Sequence, residues 1–217
     1  MSFIEQAYKG EVKLWKYAIP TFAFLGLVAL NALAMKMLGI DTEQILKGQI
    51  ASKGSNRVLF ENLIPFAIFL GGLFFWVKYV HAQPLKSLTT SRVEVDWKRV
   101  RFSFTLWGTV IVVMTTLAYY LAPEDFVWNF NFDKFIILAI IGILLIPLQT
   151  SFEEYLFRGY LMQGLGVLVK NRWFPLITTS VVFGMMHFWN PEVEKLGPII
   201  MVYYIGTGLF LGIITLM

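Results

Sequence analysis

Phe135-Ile-Ile-Leu-Ala-Ile-Ile-Gly-Ile-Leu-Leu-Ile146 contains no polar side chain, and beyond Pro147 it runs without a loop signal into Gln149-Thr-Ser-Phe-Glu153-Glu154-Tyr-Leu-Phe-Arg158-Gly159-Tyr160. A helix that crosses a bilayer takes roughly 20 mainly apolar residues, and this stretch begins one. Five other segments read the same way. They are residues 17–39 (from Tyr17 through Ile40, with Pro20 near its start), 60–80 (closed by Lys78 and His81), 102–122, 174–189 and 197–217. The alternating ten-residue pattern of a membrane barrel is missing, so each segment is expected to be a helix. The expected fold is all-α: a polytopic transmembrane helical bundle with about six spanning helices. Pro147 is positioned to kink the fourth, because proline removes a backbone donor and crowds the preceding turn.

Composition supports the same class. Hydrophobic residues make up 57% of the 217 and charged ones 15%, against about 45–50% and 25% in soluble domains. That balance excludes a soluble globular enzyme, a disordered chain and a disulfide-built secreted domain. With no cysteine, a thiolate nucleophile and Cys-ligated metal centres are excluded too. The net charge of +4 is carried between apolar segments rather than in a basic, aromatic-laced groove. It therefore reads as topology signal and lipid-headgroup contact, with no nucleic acid as partner. Lys86, Arg92, Lys98, Arg99 and Arg101 lie between segments two and three, whereas Glu124, Asp125 and Asp133 outnumber Lys134 between three and four. Positive-inside logic then places the N-terminus, with Lys9, Lys13 and Lys16, and the turn with Lys170 and Arg172 in the cytoplasm. The expected location is a bacterial inner membrane.

Two glutamates and an arginine at membrane depth are costly, about 2.5–3.5 kcal/mol each at a helix centre, and such groups usually face a protein interior or a wet cavity. Glu154 and Arg158 are four apart and share a helix face, which allows an ion pair. Glu153 points about 100° away and is free for chemistry. His187 lies in the next apolar segment, in Phe183-Gly-Met-Met-His187. Glu153 precedes Lys170 by 17 residues and His187 follows Arg172 by 15. At about 1.5 Å per residue these are arms of roughly 25 and 22 Å, which puts Glu153 and His187 at one depth. A carboxylate opposite an imidazole can activate water, the glutamate as general base and the histidine as a metal ligand or oxyanion support. A single histidine with one or two glutamates leaves a zinc site short of its three protein ligands. His81, beside Lys78, reads as an interface residue. Gly206, Gly208 and Gly212 fit close helix packing.

Glu153-Glu154-x-x-x-Arg158 followed by Phe183-x-x-x-His187 resembles the CPBP family of intramembrane proteases, which includes the type II CAAX prenyl endopeptidases and the bacterial Abi-type, bacteriocin-immunity-associated proteins. The resemblance covers residues 135–217; residues 1–134 form the variable N-terminal membrane part. It implies Glu153 as the water-activating base and His187 as a catalytic or metal-binding group. Glu154 and Arg158 would support the site or place substrate, beside Phe183. Zinc is the cofactor implied if a metal is used, and a membrane-associated peptide or protein is the substrate. The alternative is a non-catalytic member acting in bacteriocin immunity or partner binding; a proton-coupled transporter ranks below both. The family carries a third block, His-x-x-x-Asn or His-x-x-x-Asp, on a later helix, and no histidine follows His187. Either the third block is expected beyond Met217 or this is a family member without the full catalytic set; these 217 residues alone are expected to be inactive.

Overall fold

The computed structural model describes residues 2–39 and 42–217. Ile40, where the first apolar segment is expected to end, lies outside the described residues. The helices are α1 (Leu14–Met37), α2 (Thr42–Lys53), α3 (Ser55–Phe75), α4 (Lys86–Thr89), α5 (Trp97–Leu121), α6 (Phe132–Glu154), α7 (Met162–Val169), α8 (Trp173–Met186), α9 (Pro191–Leu196) and α10 (Ile200–Leu216). A single π-helical turn, Trp76–Val80, prolongs α3, and another, Tyr155–Leu161, joins α6 to α7. Among the described residues, four continuous helices are long and apolar enough to cross a membrane: Leu14–Met37, Ser55–Val80, Trp97–Leu121 and Phe132–Val169. The fold is an all-α membrane bundle. The fifth and sixth apolar segments form helices of 14 and 17 residues, shorter than a full crossing at about 1.5 Å per residue.

Asn131 accepts from the Lys134 amide and starts α6, which runs through Pro147 without a break. The irregular winding comes later, in the wide turn directly after Glu153 and Glu154. α7 ends at Lys170, whose backbone is left-handed (φ 55°), and the Asn171 side chain accepts from the Trp173 amide at 2.7 Å to start α8. Such a short, capped turn makes α7 and α8 antiparallel neighbours.

α3 and α6 lie side by side and run in the same direction. Asn56 donates to the Lys134 carbonyl at one end. Leu63 packs with Ile141 and Leu145 further along, the Phe69 and Phe152 rings come next, and His81 reaches Tyr160 at the other end. Parallel neighbours need a return crossing between them, and α5 supplies it. No residue of α5 is buried, so its apolar surface is for lipid rather than for packing. α1 runs antiparallel to α6, with Tyr17 against Tyr160 and Phe24 against Phe152.

The end of the bundle where α1 begins holds a buried polar network, and a proline creates it. Pro20 has no N–H for the Lys16 carbonyl four residues back. That carbonyl instead accepts the Trp76 indole N–H at 2.9 Å and the Tyr160 hydroxyl at 2.5 Å. His81 is fully buried here rather than at the interface. Its Nδ1 lies 2.9 Å from the Glu11 carbonyl and its Nε2 2.8 Å from the Tyr160 hydroxyl. Lys16 bonds to the Val80 carbonyl and to the Glu11 carboxylate. Hydropathy misplaces His81 because it cannot show that this orphaned carbonyl draws the chain end inward.

Burial holds the His81 imidazole below its ordinary range, against the raising effect of the Glu11 and Lys16 carbonyls. The unfolded chain therefore binds a proton more readily than the folded one below about pH 6.5. Stability is expected to fall as pH drops from 7 towards 5, read as the unfolding temperature in detergent micelles. His81→Gln should flatten that part of the profile; an unchanged slope would show that His81 does not set it. Lys16, then Lys13, holds the Glu11 carboxyl below the usual range, so its stabilising contribution is lost only at more acid pH, below that of a free carboxylate.

α8 and α10 pack antiparallel through small residues. A Cβ at Gly208 would lie 3.0 Å from the Ser180 backbone, and one at Gly212 would meet Leu176. Gly206, in contrast, has nothing within 4 Å and takes no part in this packing. Gly208→Ala is expected to cost about 1–3 kcal/mol through overpacking. Gly206→Ala should gain up to about 1 kcal/mol of helix propensity. Equal effects in thermal unfolding would show that α10 does not pack through the Gly208 face.

Candidate active site

The site lies where the end of α6, the end of α8 and the start of α10 converge. The register between α6 and α8 follows from aromatic contacts. The Phe157 and Phe183 ring centroids are 5.7 Å apart. One turn further along each antiparallel helix are Glu153 and His187, which this register puts at one level. The two groups are close enough to interact electrostatically. Both residues are half-buried.

Glu153 has a second neighbour. The Gln149 side-chain amide donates to its Oε1 at 3.4 Å. Glutamine four residues earlier is on the same helix face, so the spacing could have revealed this contact, although sequence reading assigned Gln149 no role. His187 is the first residue beyond α8. Its Nδ1 is 2.9 Å from the Phe183 carbonyl. A carbonyl only accepts, so Nδ1 carries the hydrogen, and in the neutral ring Nε2 is the nitrogen with a free lone pair.

Glu154 and Arg158 form the pair that their spacing predicts, with Arg158 Nη1 3.0 Å from Glu154 Oε1. The arginine is buried, at 2% exposure, while the Glu154 side chain is 41% exposed. The contact is ionic rather than a well-directed hydrogen bond, because Nη1 and Nε have no hydrogen-bond partner. Nη2 donates to the Gly208 carbonyl at 3.4 Å, and the guanidinium carbon lies 4.2 Å from the Phe183 ring centroid. Arg158 thus ties α6, α8 and α10 together. Glu154 and Arg158 line a cavity of about 330 Å³ with Thr89, Thr150, Ser151 and Tyr155.

Tyr204 on α10 carries no sequence signal, since it sits in an otherwise apolar helix. Its ring nonetheless stacks on His187, with centroids 4.4 Å apart and planes at 19°. For a zinc ion, Glu153 and His187 supply two donors, one short of the three protein ligands such a site uses. Among the described residues no group of three His, Asp or Glu side chains converges. The residues present do not fit a zinc centre by themselves.

The uncharacterized protein YyaK of Bacillus subtilis (strain 168) is 28% identical over 202 residues, covering 89% of this chain and 67% of the relative. No solved structure matches the chain. Residues 132–217, the part of the chain that carries Glu153, Arg158 and His187, match the family model for type II CAAX prenyl endopeptidase Rce1-like proteins.

Proposed function

We propose that this protein is an intramembrane endopeptidase that hydrolyses a peptide bond of a membrane-associated substrate with water activated by Glu153. The observation that carries the proposal is the Glu153–His187 pair, held at one level by the α6–α8 register set by Phe157 and Phe183. In this reading residues 135–217 are the hydrolytic core and residues 1–134 the membrane frame around it.

Glu153 takes a proton from a water molecule as its oxygen attacks the carbonyl carbon of the scissile bond. His187 presents its Nε2 lone pair, because Nδ1–H is committed to the Phe183 carbonyl, and accepts the second hydrogen of the same water. That contact aims the attacking oxygen. The tetrahedral intermediate collapses with cleavage of the C–N bond, and the proton on Glu153 passes to the leaving nitrogen. Gln149 fixes one rotamer of the base. Arg158 and Glu154 act as a brace between three helices.

The orientation belongs to the proposal. Ile4 packs against Gly166 of α7, so the N-terminal lysines and the Lys170–Arg172 turn share one end of the molecule. Positive-inside logic requires that arrangement if both face the cytoplasm.

The test is a set of N-palmitoylated peptides of mixed sequence in phosphatidylethanolamine–phosphatidylglycerol vesicles that contain the intact protein. Mass spectrometry should find new C-termini in the wild-type vesicles and none with Glu153→Gln. Saturable binding of a peptide without cleavage would favour a non-catalytic binding role instead.

A further inference from the structure

His187 occupies an exposed structural position for a residue that must aim a water molecule. It lies past the end of α8, with φ −90° and ψ 1°, so no helix backbone surrounds it. The Nδ1 hydrogen bond to Phe183 restrains one edge of the ring but leaves the ring free to tilt about that bond. The second restraint comes from α10. The Tyr204 ring lies against the imidazole face at 4.4 Å and is nearly parallel to it. The Tyr204 hydroxyl in turn accepts from the Asn190 side chain at 3.3 Å. Asn190 closes the same turn, because its backbone N–H donates to the His187 carbonyl at 3.0 Å. Tyr204 therefore stacks on the first residue of the turn and bonds the last. Its own position is fixed one turn along α10, where Gly208 packs against Ser180 with no room for a Cβ.

We propose that Tyr204, anchored by Asn190, is the positioning residue that sets the ring plane of His187. The proposal rests on the reading of His187 as the partner of Glu153. The ring, not the hydroxyl, does the aiming; the hydroxyl serves only to join Tyr204 to the 187–190 turn. A neutral imidazole that tilts about its Nδ1 bond moves Nε2 sideways. A displacement of about 1 Å in a catalytic group can cost about 10²-fold in rate.

The experiment compares Tyr204→Leu, Tyr204→Phe and Asn190→Ala in the intact protein. It uses whichever palmitoylated peptide the wild type cleaves, together with the proton NMR shifts of the His187 ring in micelles. Tyr204→Leu should lower kcat by about 10²-fold with KM little changed, and the ring-current shift of the His187 protons should vanish. Tyr204→Phe should restore both to within about threefold, because the stacked ring returns. Asn190→Ala should act on the same bond as Tyr204→Phe, so the double variant should be no worse than either single one. This comparison holds even if Tyr204→Leu fails to fold. Loss of the ring-current shift with kcat unchanged would overturn the proposal. So would additive losses in the Tyr204→Phe/Asn190→Ala pair. Failure of the underlying hydrolytic reading would show separately, as full turnover in His187→Phe, and would remove the proposal with it.

Discussion

Glu153→Gln is expected to leave the protein folded and to stop peptide cleavage, with a rate at least 10²- to 10⁴-fold lower, the range that general acid–base groups contribute. The substitution changes little except the proton affinity of the group. A glutamine at 153 has the same length, and its carbonyl oxygen can still accept from Gln149. Glu153 is only half-buried and forms no ion pair as close as that between Glu154 and Arg158. Its loss therefore removes no brace. An amide cannot take a proton from water at neutral pH, so the attacking oxygen stays uncharged. His187→Phe is the companion variant. Phenylalanine can keep the stack on Tyr204 while it deletes Nε2, and turnover should fall by about 10²-fold or more. Thermal unfolding of both variants should match the wild type within a few degrees. Retained cleavage in Glu153→Gln would take the base role from this residue.

Glu154→Leu is expected to produce the largest loss of stability among substitutions at the site, and Arg158→Met a smaller one. The reason is the asymmetry of burial within the pair. The Arg158 side chain is 3% exposed and that of Glu154 41%. Removal of Glu154 leaves a guanidinium in the interior beside the Gly208 carbonyl and the Phe183 ring, with Glu153 as the remaining opposite charge. Nε already lacks a hydrogen-bond partner. Breaking a buried pair from one side costs about 3–5 kcal/mol. The lower end applies here, because the Glu154 side chain is partly exposed rather than buried. Removal of Arg158 instead leaves a carboxylate that is already partly exposed. Unfolding in detergent micelles reads the difference. A larger loss in Arg158→Met than in Glu154→Leu would mean that the contacts with Phe183 and Gly208, not charge neutralisation, dominate at Arg158.

Much of this site is legible in the residues themselves. The four-residue spacing of Glu154 and Arg158 gives their ion pair, because it is a local property of one helix. The common level of Glu153 and His187 follows from counting residues on either side of the 170–172 turn, since two antiparallel helices rise at the same rate. Contacts between distant segments are a different matter. Nothing in the apolar runs says that α3 lies parallel to α6 or that α5 buries no residue. Lipid and protein interior are equally apolar, and hydropathy does not distinguish them. His81 shows how a local sign misleads. Its neighbour Lys78 suggests an interface, yet a carbonyl freed by Pro20, 61 positions earlier, organises the network that buries it. Tyr204 illustrates the same limit from the other side, because an aromatic residue in an apolar helix looks like packing until its stacked partner is known. The shortness of α8 also escapes a hydropathy reading. That reading continues to Trp189, whereas the helix ends at Met186, five residues before Pro191.

The proposed hydrolysis depends on water activated by Glu153. A single turnover in water enriched in ¹⁸O, with protein in excess over a palmitoylated peptide, tests it most directly. Direct attack by water predicts one ¹⁸O atom in the new carboxyl group of every first-turnover product, and no product from Glu153→Gln on the same time scale. A first-turnover product that carries only ¹⁶O would mean that an oxygen of the protein attacks the substrate, and wild-type yield from Glu153→Gln would mean that Glu153 is not the base; either result contradicts the mechanism.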